Sequence, residues 1–239
     1  MQESGRFKLA RRAPRGPLSR ERVLAVAAAL ADTEGLYVVT MRRLATDLGV
    51  EAMSLYHHLP GKDGLLDGLV DTVITEVNQE IGRLPPSPEG GDWRRELRQR
   101  CLAARQVMLR HPWAPSLIGT RSVIPFGVYL LFDEALGIMV RGGLSYHLGH
   151  QALHSLGSML LGYVQEVFSP NSVGEGLDPA AAEAEFAQLA GGLPHIAAMV
   201  DSEVHSHDDP TLGWCDSQTE FEFTLDLLLD AFERRRTQS

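Results

Sequence analysis

Thr40-Met41-Arg42-Arg43-Leu44-Ala45-Thr46-Asp47-Leu48-Gly49-Val50-Glu51-Ala52-Met53-Ser54-Leu55-Tyr56-His57-His58-Leu59 decides the fold. Met41, Leu44, Ala45 and Leu48 recur at helical spacing, Thr40 suits an N-cap, and Gly49 tolerates the left-handed backbone of a tight turn. Small Ala45 lets two helices cross closely. A further short helix is predicted from Ala52 to about His58, stopped before Pro60, whose ring disfavours helical backbone in the residue ahead of it. Two short helices across a glycine turn make a helix-turn-helix, and the second is rich in hydrogen-bonding side chains. A helix of this kind suits the major groove of duplex DNA.

Upstream, residues 1–18 hold Arg6, Lys8, Arg11, Arg12 and Arg15 against only Glu3, while Pro14, Gly16 and Pro17 prevent a continuous helix. This reads as a flexible basic arm, either laid in a minor groove or a solvated tail. Ser19 then suits an N-cap with Glu21 in the first turn, Val23, Ala27, Leu30 and Ala31 make an apolar stripe, and Gly35 ends that helix. A three-helix domain over residues 19–64 follows from these signals.

Downstream, a long fourth helix is predicted from about Lys62 to Ile81, with Leu65, Leu66, Leu69, Val73 and Val77 inward. Residues 82–91 are rich in Gly and Pro and form a loop. Beyond it the periodicity stays helical, near 92–110, 114–119, 124–141, 145–168, 179–199 and 217–235. No segment sustains period-two alternation, so the chain is predicted to be all-α, with a larger helical domain over residues 65–239.

The net charge of −9 is unevenly spread. Residues 1–62 carry ten Lys and Arg against six Asp and Glu, a net +4, while the remainder carries twelve against twenty-five, a net −13. Attraction to phosphate is therefore expected to be local to the first quarter of the chain. With 44% hydrophobic residues the chain can pack a core, yet no apolar run approaches the roughly 20 residues that span a bilayer. The N-terminus lacks a signal-peptide apolar region, and a cytoplasmic protein with no membrane partner is expected. Cys101 and Cys215 are too few for a disulfide framework and sit in no metal-ligand spacing.

The helical order, together with Thr40-Met41-Arg42-Arg43-Leu44-Ala45, Leu48-Gly49-Val50, Ser54-Leu55-Tyr56-His57-His58 and Gly61-Lys62-Asp63-Gly64-Leu65-Leu66, resembles the tetracycline-repressor (TetR) family of transcriptional regulators. The match is densest from Ser19 to about Val70. Thr40 and Arg42 offer a hydroxyl, backbone N–H groups and a guanidinium to phosphates or a base. Ala52, Met53 and Ser54 open the helix whose N-terminal end approaches base edges, with apolar contact to a thymine methyl from the first two and hydrogen bonding from the third. Tyr56, His57 and His58 are expected to reach flanking phosphates, and Lys62 to anchor at the start of the fourth helix. Met53 and Tyr56 also fit a purely packing role, and Leu55 is assigned to packing alone.

Past residue 90 the resemblance thins and leans towards the C-terminal domain of the tetracycline-binding branch, through Trp93, His111, Ile118-Gly119-Thr120-Arg121 and Leu161-Gly162-Tyr163-Val164-Gln165-Glu166. In that branch a histidine ahead of the hydrophobic-Gly-Thr-Arg segment binds the drug's magnesium ion, and here the position is Leu117. Other drug-contacting positions are also changed, at Asn78, Arg100 and Asp133, and Ser158 replaces a further histidine although Glu166 is kept. The resemblance thus implies a small-molecule effector other than magnesium–tetracycline. Trp113, Phe126, Tyr129, Phe132 and Tyr163 are candidate apolar walls, and Asn78, Arg100, His111 and His150 candidate orienting groups; each of these aromatics serves an ordinary core as readily.

Phe221, Leu225, Leu228 and Phe232 form a stripe on the last helix, as do Leu153, Leu156, Leu160 and Val167 on the helix near 145–168. In the family the equivalent helices of two subunits pair as a four-helix bundle, which implies a homodimer on double-stranded operator DNA. His147, His150 and His154 share one helical face, and pocket or interface lining is preferred to metal binding because no metalloprotease pattern accompanies them. A nucleophile motif, a phosphate-binding glycine loop and a second ligand cluster are all missing, so a hydrolase is disfavoured and neither metal nor cofactor is expected. The expected function is that of a repressor released by a small molecule; an activator or a ligand-independent regulator on the same fold is the alternative.

Overall fold

The computed structural model describes residues 17–86, 90–164, 192–195, 198 and 217–237. Most of the basic arm, the helix expected near 179–199, and Glu166, Val167 and Cys215 lie outside the described residues. Among those described, every long regular element is an α-helix, as the periodicity requires.

Helix α1 spans Arg20–Glu34, capped where the Ser19 hydroxyl accepts the Arg22 N–H at 3.2 Å. A 3₁₀ turn over Leu36–Val38 leads to α2, Met41–Leu48, whose N-cap Thr40 accepts the Arg43 N–H at 3.1 Å. Gly49 takes φ 68° and ψ 37°, and the Val50 and Gly49 N–H groups bond back to Ala45 and Thr46 carbonyls at 3.0 and 3.2 Å. That pair of bonds is a Schellman motif, and it turns the chain sharply into α3, Ala52–Tyr56. Helix α3 is shorter than the expected span to His58. His57 and His58 form a turn, with the His58 and Leu59 N–H groups both bonded to the Leu55 carbonyl.

Helix α4, Gly61–Gly82, is the rod on which the head sits. Val23, Ala27 and Ala31 of α1, Leu44, Ala45 and Leu48 of α2, and Leu55 and Leu59 are buried together with Leu65 and Leu69 of α4. Close crossing of α1 on α4 depends on Gly68, where a Cβ would come within 2.7 Å of the Leu24 side chain. Leu66 is only half-buried, while Val70, Ile74 and Ile81 join the inward face.

Helices α5 (Trp93–Arg110), α6 (Ala114–Thr120) and α7 (Phe126–Arg141) pack against α4. The Asn78 amide pins α7 to α4 by donating to the Ile74 and Gly127 carbonyls at 2.9 and 3.1 Å. Packing divides the chain into two compact units, Met1–Leu153 and His154–Ser239, so the head and the first helices of the body belong to one unit. The division falls within α8, Tyr146–Gly162.

In the second unit, α9 spans Ser217–Arg236. Its buried stripe is Phe221, Leu225, Leu229 and Phe232, so Leu229 takes the slot expected of Leu228, which is half-buried at the edge. On α8, Leu156 is buried, and Leu153 and Leu160 are half-buried. Tyr163 stacks edge-on against Phe221 at 5.9 Å and its hydroxyl lies 2.6 Å from that of Thr224. Among the described residues no helix is long and apolar enough to cross a membrane.

Candidate nucleic-acid interface

Burial sorts the residues around Gly49 into two sets. Leu44, Leu48, Leu55 and Leu59 face the core. Thr40, Arg42, Met53, Tyr56, His57 and Lys62 are exposed, and Ala52, Ser54 and His58 are half-exposed. Met53 is 71% exposed directly beside Ser54, while Leu55 two residues on is fully buried. Met53 is thus an apolar side chain held in water at the opening of a five-residue helix.

The two adjacent arginines of α2 have different fates. Arg43 is committed inside the head: its guanidinium donates to both Glu34 oxygens at 3.1 and 2.7 Å and to Asp47 at 3.0 Å. These bonds, to Glu34 first and Asp47 second, hold the Arg43 guanidinium above its usual range. Arg42, one residue earlier, is exposed and makes no ion pair among the described residues, and the same is true of Lys62.

Acidic side chains beside Lys62 are paired with one arginine of the body. Arg121, after α6, donates to Asp67 at 2.7 Å and to Asp63 at 3.2 Å, and these carboxylates, Asp67 foremost, raise its pKa. The Ile118-Gly119-Thr120-Arg121 segment drew notice in the sequence, but nothing there points to Asp63 and Asp67, more than fifty residues away.

The candidate effector residues differ in burial and in partners. Leu117 is buried. His111 is buried, and both its ring nitrogens are occupied, Nδ1 lying 2.8 Å from Asp32 Oδ1 and Nε2 2.9 Å from Glu76 Oε2. The Trp113 indole N–H donates to the same Asp32 oxygen at 2.7 Å. His111 and Trp113 are therefore hydrogen-bonding partners of carboxylates. Phe126 is 74% exposed, and Tyr129 is exposed as well. Arg100 pairs with Glu96 at 3.2 Å and keeps its buried Nε–H without a partner among the described residues. His150 is exposed on α8, and Tyr163 belongs to the second unit. His147 and His154 are exposed as well, and no three His, Cys, Asp or Glu side chains among the described residues are grouped as metal ligands.

A basic helix-turn-helix head, with its apolar and cationic side chains turned outward and a helical body behind it, defines a DNA-binding regulator. Residues 23–69 match the family described as bacterial regulatory proteins, tetR family, and residues 85–236 match the tetracyclin repressor-like C-terminal domain. The chain belongs to the TetR family of helix-turn-helix transcriptional regulators. It is 30% identical over 188 residues to an HTH-type transcriptional regulator of Saccharopolyspora erythraea, covering 74% of this chain and 75% of that one. It is 29% identical to the class E tetracycline repressor protein of Escherichia coli, over 65% of this chain and 72% of that one. Among solved structures, the TetR family protein ActR of Streptomyces coelicolor in complex with actinorhodin is similar with a TM-score of 0.68 and 25% identity, covering 92% of this chain and 99% of that one.

Proposed function

We propose that the chain is a cytoplasmic, homodimeric repressor whose two heads read a two-fold operator and which a small molecule releases. The observation that carries the DNA surface is the segregation of Thr40, Arg42, Met53, Tyr56, His57 and Lys62 to the exposed side of the head, with Ala52, Ser54 and His58 half-exposed beside them. Arg42 and Lys62 grip phosphates, Ala52, Met53 and Ser54 meet base edges, and Tyr56, His57 and His58 reach the flanking backbone.

The dimer reading rests on α9. Its exposed face carries Phe223 and Leu227, four residues apart and opposite the buried stripe, and both stand in water in the single chain. A two-fold pair covers them and sets two heads about one helical turn of DNA apart, roughly 34–36 Å. ActR holds actinorhodin, and by analogy this body takes an organic effector. Magnesium–tetracycline is disfavoured because buried Leu117 offers no ligand atom. The buried Arg100 Nε–H, without a partner among the described residues, is the donor assigned to orient the effector. The effector acts by binding one arrangement of the heads more tightly than the other.

The test is a gel shift on duplexes selected from a random pool by the wild-type protein. A Tyr56→Ala plus Lys62→Ala variant is expected to stay folded and dimeric yet lose at least about tenfold in affinity. Unchanged binding sinks the surface assignment.

A further inference from the structure

The cluster formed by Asp32, His111 and Glu76 joins three segments distant in sequence: the last turn of α1, the middle of α4, and the turn between α5 and α6. The His111 side chain is 11% exposed, yet each ring nitrogen meets a carboxylate oxygen at 2.8 or 2.9 Å. Both ring nitrogens are thus engaged at once, one by α1 and the other by α4. Each carboxylate has a second donor: the Trp113 indole on Asp32 at 2.7 Å, and the Arg110 guanidinium on Glu76 at 2.6 and 3.1 Å.

Of the ionisable side chains here only His111 is buried, and the partly exposed Asp32, Glu76 and Arg110 are screened by water, so these pairs add little to stability. What such a cluster adds is direction. Apolar surfaces slide, whereas three hydrogen-bonded side chains around two carboxylates fix one relative placement. Near its other end α1 bears on α4 through Leu24 at Gly68, and the exposed Arg20–Asp71 pair beside it is long at 3.8 Å. The cluster is therefore the second clamp on α1, and it binds the head to the body as well as to the rod. Helix α6 begins one residue beyond Trp113, so a shift of the body at this turn is delivered to the head.

We propose that the Asp32–His111–Glu76 cluster is the joint that holds the DNA-reading head at its operator-competent angle, with His111 a positioning residue. This rests on the reading of the chain as a dimer on a two-fold operator. A joint of this kind governs how far apart the two reading helices stand, and leaves the chemistry of each reading surface untouched.

The experiment measures binding of the full chain to duplexes carrying two selected half-sites, with their separation varied one base pair at a time. Wild type is expected to favour one separation by about tenfold or more. Asp32→Asn and His111→Ala are expected to flatten that profile to within about threefold while a single half-site is still read with the same sequence preference. His111→Gln, which keeps one donor, and Trp113→Phe, which keeps the ring, are expected to fall between, and either serves if His111→Ala does not fold. Folded variants with the wild-type separation profile overturn the joint. A wild-type protein that binds no selected duplex, or binds all separations alike, overturns the dimeric reading together with the joint.

Discussion

Met53 and Leu55 sit two residues apart on one short helix and have opposite physical duties. Leu55 is fully buried against the head core, and Leu55→Ala is expected to cost about 2–5 kcal/mol through lost burial and the cavity left behind, read as a lower urea midpoint. Met53→Ala changes a largely exposed side chain, so stability should stay within about 0.5 kcal/mol while affinity for selected DNA falls. A fall in both properties for both variants would remove the distinction. Glu76 gives a residue-scale pH prediction. Burial pushes its carboxyl up, but hydrogen bonds from His111 and Arg110 outweigh that and leave it below the usual carboxylate range. A carboxyl depressed by folding stabilises above its unfolded pKa and loses that contribution as pH falls through the folded value. The stability gap between wild type and Glu76→Gln should therefore be full near neutral pH and close in acid; a gap that widens on acidification contradicts the assignment. Residue identities could be read for the exposed set, because helical spacing around Gly49 separates inner from outer positions. The roles of His111 and Trp113 could not, since their partner Asp32 lies 79 and 81 residues away and local periodicity carries no information about it.

At the scale of elements, caps explain why boundaries were readable where they were. Ser19 and Thr40 each accept an N–H three residues on, and Gly49 ends α2 in the left-handed region, all chemistry written locally. Gly49→Ala meets no neighbouring atom, so its cost isolates the backbone: about 1 kcal/mol from the left-handed strain, seen as a lowered Tm with the fold retained. A neutral or stabilising result would mean that the turn relaxes to another conformation. Where long-range packing decides, the reading slipped. Helix α3 ends at Tyr56 because the Leu55 carbonyl is shared by two N–H groups of the following turn, and Leu229 displaces Leu228 from the buried stripe of α9. Apolar periodicity likewise marks a face without saying what covers it, and Phe126 and Tyr129 on α7 are exposed.

For the molecule as a whole, the division of charge between a +4 head segment and a −13 remainder makes DNA binding a local event whose salt dependence counts contacts. Each phosphate neutralised by a lysine or arginine releases counterions and contributes about 0.9 to the slope of log K against log salt. With Arg42 and Lys62 engaged in both heads of a dimer, the slope should be at least about −3.6. Arg42→Ala should reduce that magnitude by about 1.8, whereas Arg43→Ala, whose guanidinium is already held by Glu34 and Asp47, should leave the slope nearly unchanged and lower thermal stability instead. Competition binding across a salt series measures both. A slope near zero removes the phosphate contacts, and equal effects of the two arginines would mean that Arg43 leaves its internal partners on DNA. Deleting residues 1–16 resolves the arm in the same experiment. Arg6, Lys8, Arg11, Arg12 and Arg15 steepen the slope beyond that of the head only if they enter the DNA, so a full-chain slope that drops to the head's own value on deletion assigns the arm to the operator.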